Sequence, residues 1–262
     1  MTMLHFYKYQ GAGNDFVVFD NRSGAINHQK PSWVQGLCDR RFGIGADGLI
    51  LLQSHADFDF EMVYYNADGQ PSSMCGNGGR CAVALAKKLG IITNETTFLA
   101  VDGPHYAHSN EDGSWVSLQM IDVSVLEKDG DAWVLNTGSP HYVSQVQNLA
   151  QIDVYTCGKA IRYNNTYAEK GININFIEED AAGYAVRTYE RGVEDETLAC
   201  GTGVTAVALA MAKEKGLIGT HNTPISVRGG ALNVRFTFDG STFTEVFLEG
   251  PATLVFEGDI QH

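Results

Sequence analysis

Apolar residues alternate with polar ones, or form short β-branched and aromatic runs, through most of the chain. Segments of this kind at 48–53, 58–65, 114–120, 172–177, 184–189, 232–238 and 243–248 are bounded by Gly, Asp and Asn and are predicted to be strands. Two stretches break the rhythm. Residues 79–89 and 203–215 are rich in alanine and predict helices, whose small side chains suit tight packing inside a wrapped sheet. The opening MTMLHFYKYQGAGNDF reads as a first strand running into a turn, and SVLEKDGD at 124–131 as a crossover between two parts of the molecule.

The two helical stretches are copies of one pattern. Residues 74–90, MCGNGGRCAVALAKKLG, and 199–216, ACGTGVTAVALAMAKEKG, both begin Cys-Gly-x-Gly, pass through AVALA and close on Lys and Gly. Their leading cysteines, Cys75 and Cys200, stand close to half a chain length apart. Upstream, EMVYYNADG (61–69) corresponds to YAVRTYERG (184–192), and GNDFVVFD (13–20) can be laid on GSPHYVSQ (138–145). Three fragments in the same order at nearly the same offset mark an internal duplication. The reading is two similar halves, each mostly β with one central helix.

Composition narrows the partners. The chain of 262 residues is long enough for one large domain or two smaller ones, and 44% hydrophobic with 19% charged residues is ordinary for a globular protein. A formal net charge of −13 disfavours nucleic acid and anionic membrane surfaces, and leaves room for a small zwitterionic ligand at a local site. No apolar run approaches the ~18 residues of a membrane-crossing helix. The N-terminus lacks the basic-then-apolar order of a signal peptide. The five cysteines, Cys38, Cys75, Cys81, Cys157 and Cys200, include no CxxC and no zinc-like Cys/His spacing, so reduced thiols in a cytoplasmic protein are expected.

A cysteine that opens a helix sits among first-turn N–H groups at the positive end of the helix dipole, which favours a thiolate. The glycines at 76, 78, 201 and 203 expose backbone N–H groups suited to a carboxylate. One such cysteine is commonly just a small core residue. Two in duplicated frames point to a pair of proton-transfer groups flanking an α-carbon, one removing a proton from one face and the other returning one to the opposite face. Cys38, Cys81 and Cys157 lack the pattern and read as structural. The segment GIGADG (43–48) matches a dinucleotide fingerprint in letters but precedes a strand instead of following one, and Gly201-x-Gly203-x-x-Ala206 lacks a downstream acidic residue for a ribose.

With these motifs in view, NADG through MCGNGGRC (66–81), ERG through ETLACGTG (190–203), GNDF (13–16) and RRFGIGADG (40–48) together resemble the diaminopimelate epimerases, over nearly the whole chain. The proline racemases, which usually carry CGHG, and the PhzF-like isomerases, which lack the cysteine pair, share the architecture. The resemblance implies an α+β fold of two pseudo-symmetric halves, each a curved, mostly antiparallel sheet wrapped around a central helix. The expected halves are 1–123, completed by 250–262, and 124–249, with the active site in the cleft between them. It implies conversion of LL- to meso-diaminopimelate in lysine and peptidoglycan synthesis, with no cofactor and no metal, by a homodimer. Cys75 would be the proton donor and Cys200 the acceptor in that direction. Gly76, Asn77, Gly201 and Thr202 would hold the reacting carboxylate. Asn14, Asn66, Asn173, Glu190 and Arg191 would read the remaining ammonium and carboxylate groups, with Arg191 on the distal carboxylate.

The chain departs from the family pattern at three places. Ser139 stands where the family usually has Asn, in GNPH. Gly48 stands where some members have Gln. The turn between Arg191 and Cys200 is one residue longer and carries Glu194, Asp195 and Glu196. Two other readings stay open at this level: a racemase or epimerase of another amino acid, such as proline or hydroxyproline, and a non-catalytic amino-acid-binding protein.

Overall fold

The opening residues form a hairpin of β1 (Met3–Gly11) and β2 (Asn14–Asp20), closed by a two-residue turn in which Ala12 and Gly13 both take positive φ. This is a computed structural model, and it describes residues 3–26, 30–72 and 74–261. The elements continue through α1 (Pro31–Cys38), β3 (Gly48–Gln53), β4 (Glu61–Asn66), α2 (Gly76–Lys88), β5 (Glu95–Ala100), β6 (Gly103–Ser109) and β7 (Trp115–Gln119). A second series follows: β8 (Leu126–Asp129), β9 (Ala132–Asn136), β10 (Pro140–Gln145), α3 (Val154–Arg162), β11 (Asn173–Asp180), β12 (Gly183–Glu190), β13 (Asp195–Thr197), α4 (Gly201–Glu214), β14 (Gly219–Val227), β15 (Gly230–Phe238) and β16 (Phe243–Pro251). Finally β17 (Thr253–Gln261) pairs antiparallel with β1. The chain thus divides into one unit of Met1–Leu118 with Gly250–His262, and another of Gln119–Glu249.

Each unit is a mixed, mainly antiparallel sheet with a buried helix, an α+β arrangement, and the strand registers repeat. In the first unit β2 runs parallel to β3 with Phe16 opposite Gly48, and β3 runs antiparallel to β4 with Gly48 opposite Asn66. In the second, β10 runs parallel to β11 with His141 opposite Asn173, and β11 runs antiparallel to β12 with Ile174 opposite Tyr189, one step from Glu190. The duplication seen in the letters is therefore a duplication of pairing. Gly48 and Asn66 occupy the places that Asn173 and Glu190 occupy in the other unit.

Each sheet packs against its own core. In the first unit Leu4, Phe6, Val17, Phe19, Leu49 and Leu51 cluster with residues of α1. In the second, Leu149, Val154, Ile174, Phe176 and Tyr189 cluster beneath α3. Helices α2 and α4 are nearly wholly buried, from Asn77 to Ala86 and from Gly203 to Ala212. Burial of their Val, Leu and Met side chains contributes roughly 1.5–3 kcal/mol each, which offsets the poor intrinsic propensity of a glycine-rich first turn. Both end alike, on Gly90 and Gly216 with positive φ, where Ile91 and Leu217 donate back to Ala86 and Ala212.

The helices begin earlier than their apolar pattern predicts, at Gly76 and Gly201 instead of 79 and 203. The Gly-x-Gly residues carry no apolar side chain for periodicity to register, so the first turn is invisible to that test. The stretch 124–131 is not a simple crossover: its centre is β8, which forms a hairpin with β9. The mostly exposed strand β17 and the polar β14 likewise lack the apolar alternation that flags a strand. Among the described residues, no helix is long and apolar enough to cross a membrane.

Candidate active site

Cys75 and Cys200 occupy the same structural position in their units. Each is the N-cap of its helix, in extended conformation, with φ −109° at Cys75 and −119° at Cys200. Each carbonyl accepts the first helical bond, from Gly79 at 2.7 Å and from Val204 at 2.9 Å. Neither cysteine side chain caps its own helix, and no acidic residue lies in either first turn. The thiols therefore sit where orphan N–H groups and the helix dipole both favour negative charge. Cys200 is buried and Cys75 partly so, and all five cysteines are free thiols.

The surroundings of Cys75 form a chain of oriented amides. Asp47 anchors it. Its carboxylate accepts from Asn14 Nδ2 at 2.6 Å, the Asp15 N–H at 3.2 Å and Arg40 Nη2 at 2.8 Å. A carboxylate only accepts, so the Asn14 nitrogen faces Asp47 and its oxygen faces the other way. That oxygen lies 3.5 Å from Cys75 Sγ and 3.4 Å from Asn77 Nδ2. Asn77 is turned in the same sense because Arg80 donates to its Oδ1 at 2.9 Å. Arg80 is wholly buried, and among the described residues no carboxylate pairs with it; burial pushes its pKa down. Burial also pushes the neighbouring Cys81 thiol up to about 12, so this second cysteine stays protonated. Behind the amides, Asp15 is gripped by Arg40 and Lys8. Burial works against its ionisation, but the two cations outweigh it and hold the carboxyl at about 2.

The surroundings of Cys200 are oriented with the opposite polarity. Asn175 Nδ2 donates to the Tyr142 carbonyl at 3.1 Å, and its Oδ1 accepts from the Thr188 hydroxyl at 2.9 Å, which fixes the amide. The same nitrogen lies 3.1 Å from His141 Nδ1. His141 must accept there and so carries its proton on Nε2. It is fully buried, and burial, helped by the charge of Arg191, pushes its pKa down to about 3, so it is neutral. Nε2 then donates to Thr202 Oγ1 at 2.8 Å. The Thr202 hydroxyl is left with its own proton, 3.6 Å from Cys200 Sγ. Helix α4 reaches this position because residue 203 is glycine: a Cβ there would strike Asn175 Oδ1.

The remaining predicted residues divide into two groups. Asn66, at the end of β4, is exposed. Asn173 is buried and oriented: Arg191 N–H donates to its Oδ1 at 2.8 Å, while its Nδ2 donates to Ser139 Oγ at 2.9 Å and the Pro140 carbonyl at 3.0 Å. Arg191 is exposed and donates to Ser139 Oγ at 3.2 Å and the Lys170 carbonyl at 3.2 Å. Ser139, Asn173 and Arg191 are thus one cluster, with Glu190 beside it in sequence. Gly48 has no room for a side chain, since a Cβ would collide with the Tyr64 ring and the Tyr65 carbonyl oxygen.

Sequence reasoning passed over Asp47, Arg80, His141 and Asn175. Of these, Arg80 and His141 lie in the repeated segments, and nothing in their letters indicates burial. Among the described residues, no group of three or more His, Cys, Asp or Glu side chains converges to hold a metal ion.

The sequence model for the family described as diaminopimelate epimerase matches residues 6–126 and 133–255. The diaminopimelate epimerase of Flavobacterium psychrophilum is 53% identical over 258 residues, covering 98% of this chain and 100% of that protein. That of Chlorobaculum tepidum is 45% identical, covering 95% and 98%. Among solved structures, a PhzF-family phenazine biosynthesis protein of Bacillus anthracis superposes with a TM-score of 0.77 at 14% identity over the full length of both chains. A hydroxyproline epimerase from Agrobacterium vitis gives 0.68 at 14% identity, covering 98% of this chain and 92% of that one. At such identities the structural likeness speaks for the fold alone.

Proposed function

This chain belongs to the diaminopimelate epimerase family, and from that premise we propose that it interconverts LL- and meso-2,6-diaminopimelate by proton transfer between the substrate α-carbon and the thiols of Cys75 and Cys200. The observation that carries the mechanism is the matched placement of the two cysteines as helix N-caps in equivalent frames.

In the LL-to-meso direction the Cys200 thiolate takes the α-proton. The C–H bonding pair passes into the α-carbon and its carboxylate, and the Cys75 thiol returns a proton to the opposite face. The turnover leaves Cys200 as thiol and Cys75 as thiolate, ready for the reverse reaction or for exchange with solvent. The backbone N–H groups of Gly76, Asn77, Gly201 and Thr202 hold the reacting carboxylate as it gains charge, where fixed dipoles lower the barrier most. Asn14, Asn66, Asn173, Glu190 and Arg191 read the other charged groups, Arg191 taking the distal carboxylate.

The direction of the roles is supported by the contacts of each sulfur. Asn14 offers Cys75 an acceptor oxygen, which suits a thiol. This opposes the pull of the α2 N-terminus and of Arg80 toward a thiolate. Thr202 offers Cys200 a hydroxyl proton, which acts in the same direction as the α4 N-terminus and suits a thiolate. The free state of all five cysteines accords with a reducing cytoplasm. We place the enzyme there as a homodimer acting in lysine and peptidoglycan precursor synthesis.

The test is turnover of LL-diaminopimelate in heavy water. The expected product carries solvent deuterium at the inverted centre, and Cys75→Ala and Cys200→Ala each lose inversion. Full turnover by either variant, or product without deuterium, overturns the mechanism. A substrate panel including proline and hydroxyproline separates this assignment from that of another amino-acid racemase.

A further inference from the structure

We propose that Glu194 is a positioning residue that holds Arg191 ready for the substrate's distal carboxylate, an inference that rests on the reading of the site given above. Glu194 lies in the turn between Arg191 and Cys200. Glu194 closes the tight 190–194 turn in a left-handed conformation, φ 59°, which costs a non-glycine residue of order 1 kcal/mol and persists only where surrounding contacts hold it. Those contacts are present. The Glu194 N–H donates to the Glu190 carbonyl at 2.8 Å, and its Oε1 accepts from the Gly192 N–H at 3.1 Å. Its Oε2 accepts from the hydroxyls of Tyr163 at 2.9 Å and Tyr189 at 3.2 Å. Arg162 Nη2 completes the set at 3.4 Å from Oε1. Glu194 thus holds the two residues either side of Arg191, Glu190 through its backbone N–H and Gly192 through its carboxylate, and the same carboxylate ties the turn to the end of α3 and to β12.

The charges explain why a carboxylate is needed there. Arg162 and Arg191 approach the same glycine: an atom added as Cβ to Gly171 would lie 2.7 Å from Arg191 Cδ and 2.8 Å from Arg162 Nη2. Two guanidinium side chains converging on one point repel each other unless one is neutralised. Glu194 pairs with Arg162, whose side chain is only 12% exposed and whose remaining Nη1 bonds go to the carbonyls of Tyr167 and Ala168. Among the described residues, no carboxylate pairs with Arg191. Its neighbours are the Lys170 carbonyl and Ser139 Oγ, which orient the guanidinium without cancelling its charge. Glu194 therefore does two things to Arg191 without touching its head group: it fixes the turn that presents it, and it absorbs the competing cation.

Steady-state kinetics on Glu194→Gln, Arg191→Ala and the double variant test this. The amide keeps the shape, but one of its two atoms donates, so it cannot satisfy the converging donors. Glu194→Gln is expected to raise KM for LL-diaminopimelate about tenfold while kcat stays within about twofold, the signature of lost ground-state binding. In the Arg191→Ala background the same change is expected to add less than about twofold, because the residue through which it acts is gone. A fall in kcat with KM unchanged, or effects that multiply in the double variant, overturns the proposal. If Glu194→Gln does not fold, Tyr163→Phe removes one donor and is expected to raise KM a few-fold in the same Arg191-dependent way; an unchanged KM there overturns it equally. A wild-type enzyme that turns over while Glu194→Gln matches it sinks this inference alone. A wild type that exchanges no α-proton sinks the reading of the site, and the inference with it.

Discussion

His141 donates from Nε2 to the Thr202 hydroxyl across 2.8 Å, and that bond decides what Thr202 can offer Cys200. A hydroxyl that accepts from the imidazole has its own proton to give. The donor at Cys200 is thus set by Asn175 two bonds away, which fixes the histidine tautomer.

Thr202→Val is expected to remove this donor while keeping the volume. A hydrogen bond to a charged group contributes about 1.5–3 kcal/mol, so the thiolate population at neutral pH falls roughly tenfold or more. Iodoacetamide alkylation followed by peptide mapping reads each cysteine separately. Cys200 is expected to alkylate about tenfold more slowly and Cys75 at its usual rate, with Thr202→Ser close to wild type. Equal slowing at both cysteines contradicts the contact's proposed role.

The same buried imidazole makes stability depend on pH. His141 titrates at about 3 in the folded chain against an ordinary 6.5, so the unfolded chain binds the extra proton between those values. A depressed histidine pKa favours the folded state at high pH and costs stability as pH falls below 6.5. The loss from this group is at most about 1.4 kcal/mol per pH unit, and it ceases once the folded state also protonates near 3. Urea midpoints for wild type and His141→Asn at pH 7, 6 and 5 check the sign. The variant is less stable at pH 7, and the gap is expected to narrow as pH falls. A gap that is constant or widens contradicts a neutral His141.

How much of this was legible in the letters differs residue by residue. Cys75 and Cys200 stood out because the repeat places them in identical frames, and the pairing registers of the two units repeat in the same way. The first turns of α2 and α4 were missed because glycine contributes nothing to apolar periodicity. An arginine on a helix is ordinarily exposed, yet Arg80 is buried and among the described residues no carboxylate pairs with it, because its environment is made by Asn77 and by the Pro251 carbonyl, far away in sequence. Asp47 in GADG reads as a turn residue. Its grip on Asn14 exists only because β2 and β3 pair in parallel. The extra acidic residues of 194–196 read as a disturbance to the turn. In the fold Glu194 and Glu196 are each paired, with Arg162 and with Arg187 and Arg228.

Asp47→Asn tests the amide chain at Cys75. An amide at 47 no longer forces Asn14 to present nitrogen toward it, and only the long 3.4 Å contact from Asn77 Nδ2 then holds the Asn14 oxygen in place, so Asn14 can turn Nδ2 to the sulfur and favour a thiolate. The pH at which Cys75 becomes reactive to iodoacetamide is expected to drop by about one unit, the equivalent of one modest hydrogen bond exchanged for its opposite. Cys200 is expected not to move, and LL-to-meso turnover to fall because the returning acid is depleted. A Cys75 profile identical to wild type removes Asn14 from the control of this thiol.

Gly203→Ala tests whether the α4 start depends on close approach. The added methyl meets Asn175 Oδ1, which is held by Thr188 and therefore cannot swing aside cheaply. Either α4 shifts, taking Cys200 and Thr202 with it, or Asn175 gives up His141. Overpacking of this kind costs typically 1–3 kcal/mol, and here it falls on the residues that orient the thiol. The expected result is an unfolding free energy, read by urea titration, lowered by that amount together with a loss in kcat larger than the stability change explains, since the fold tolerates the shift better than the site does. Gly216→Ala serves as the contrast. Its glycine has positive φ, but a Cβ there meets nothing within 4 Å, so stability is expected to fall without a matching loss of kcat in the folded fraction. If both variants lose stability and kcat in the same proportion, the close approach at Gly203 has no special part in placing Cys200.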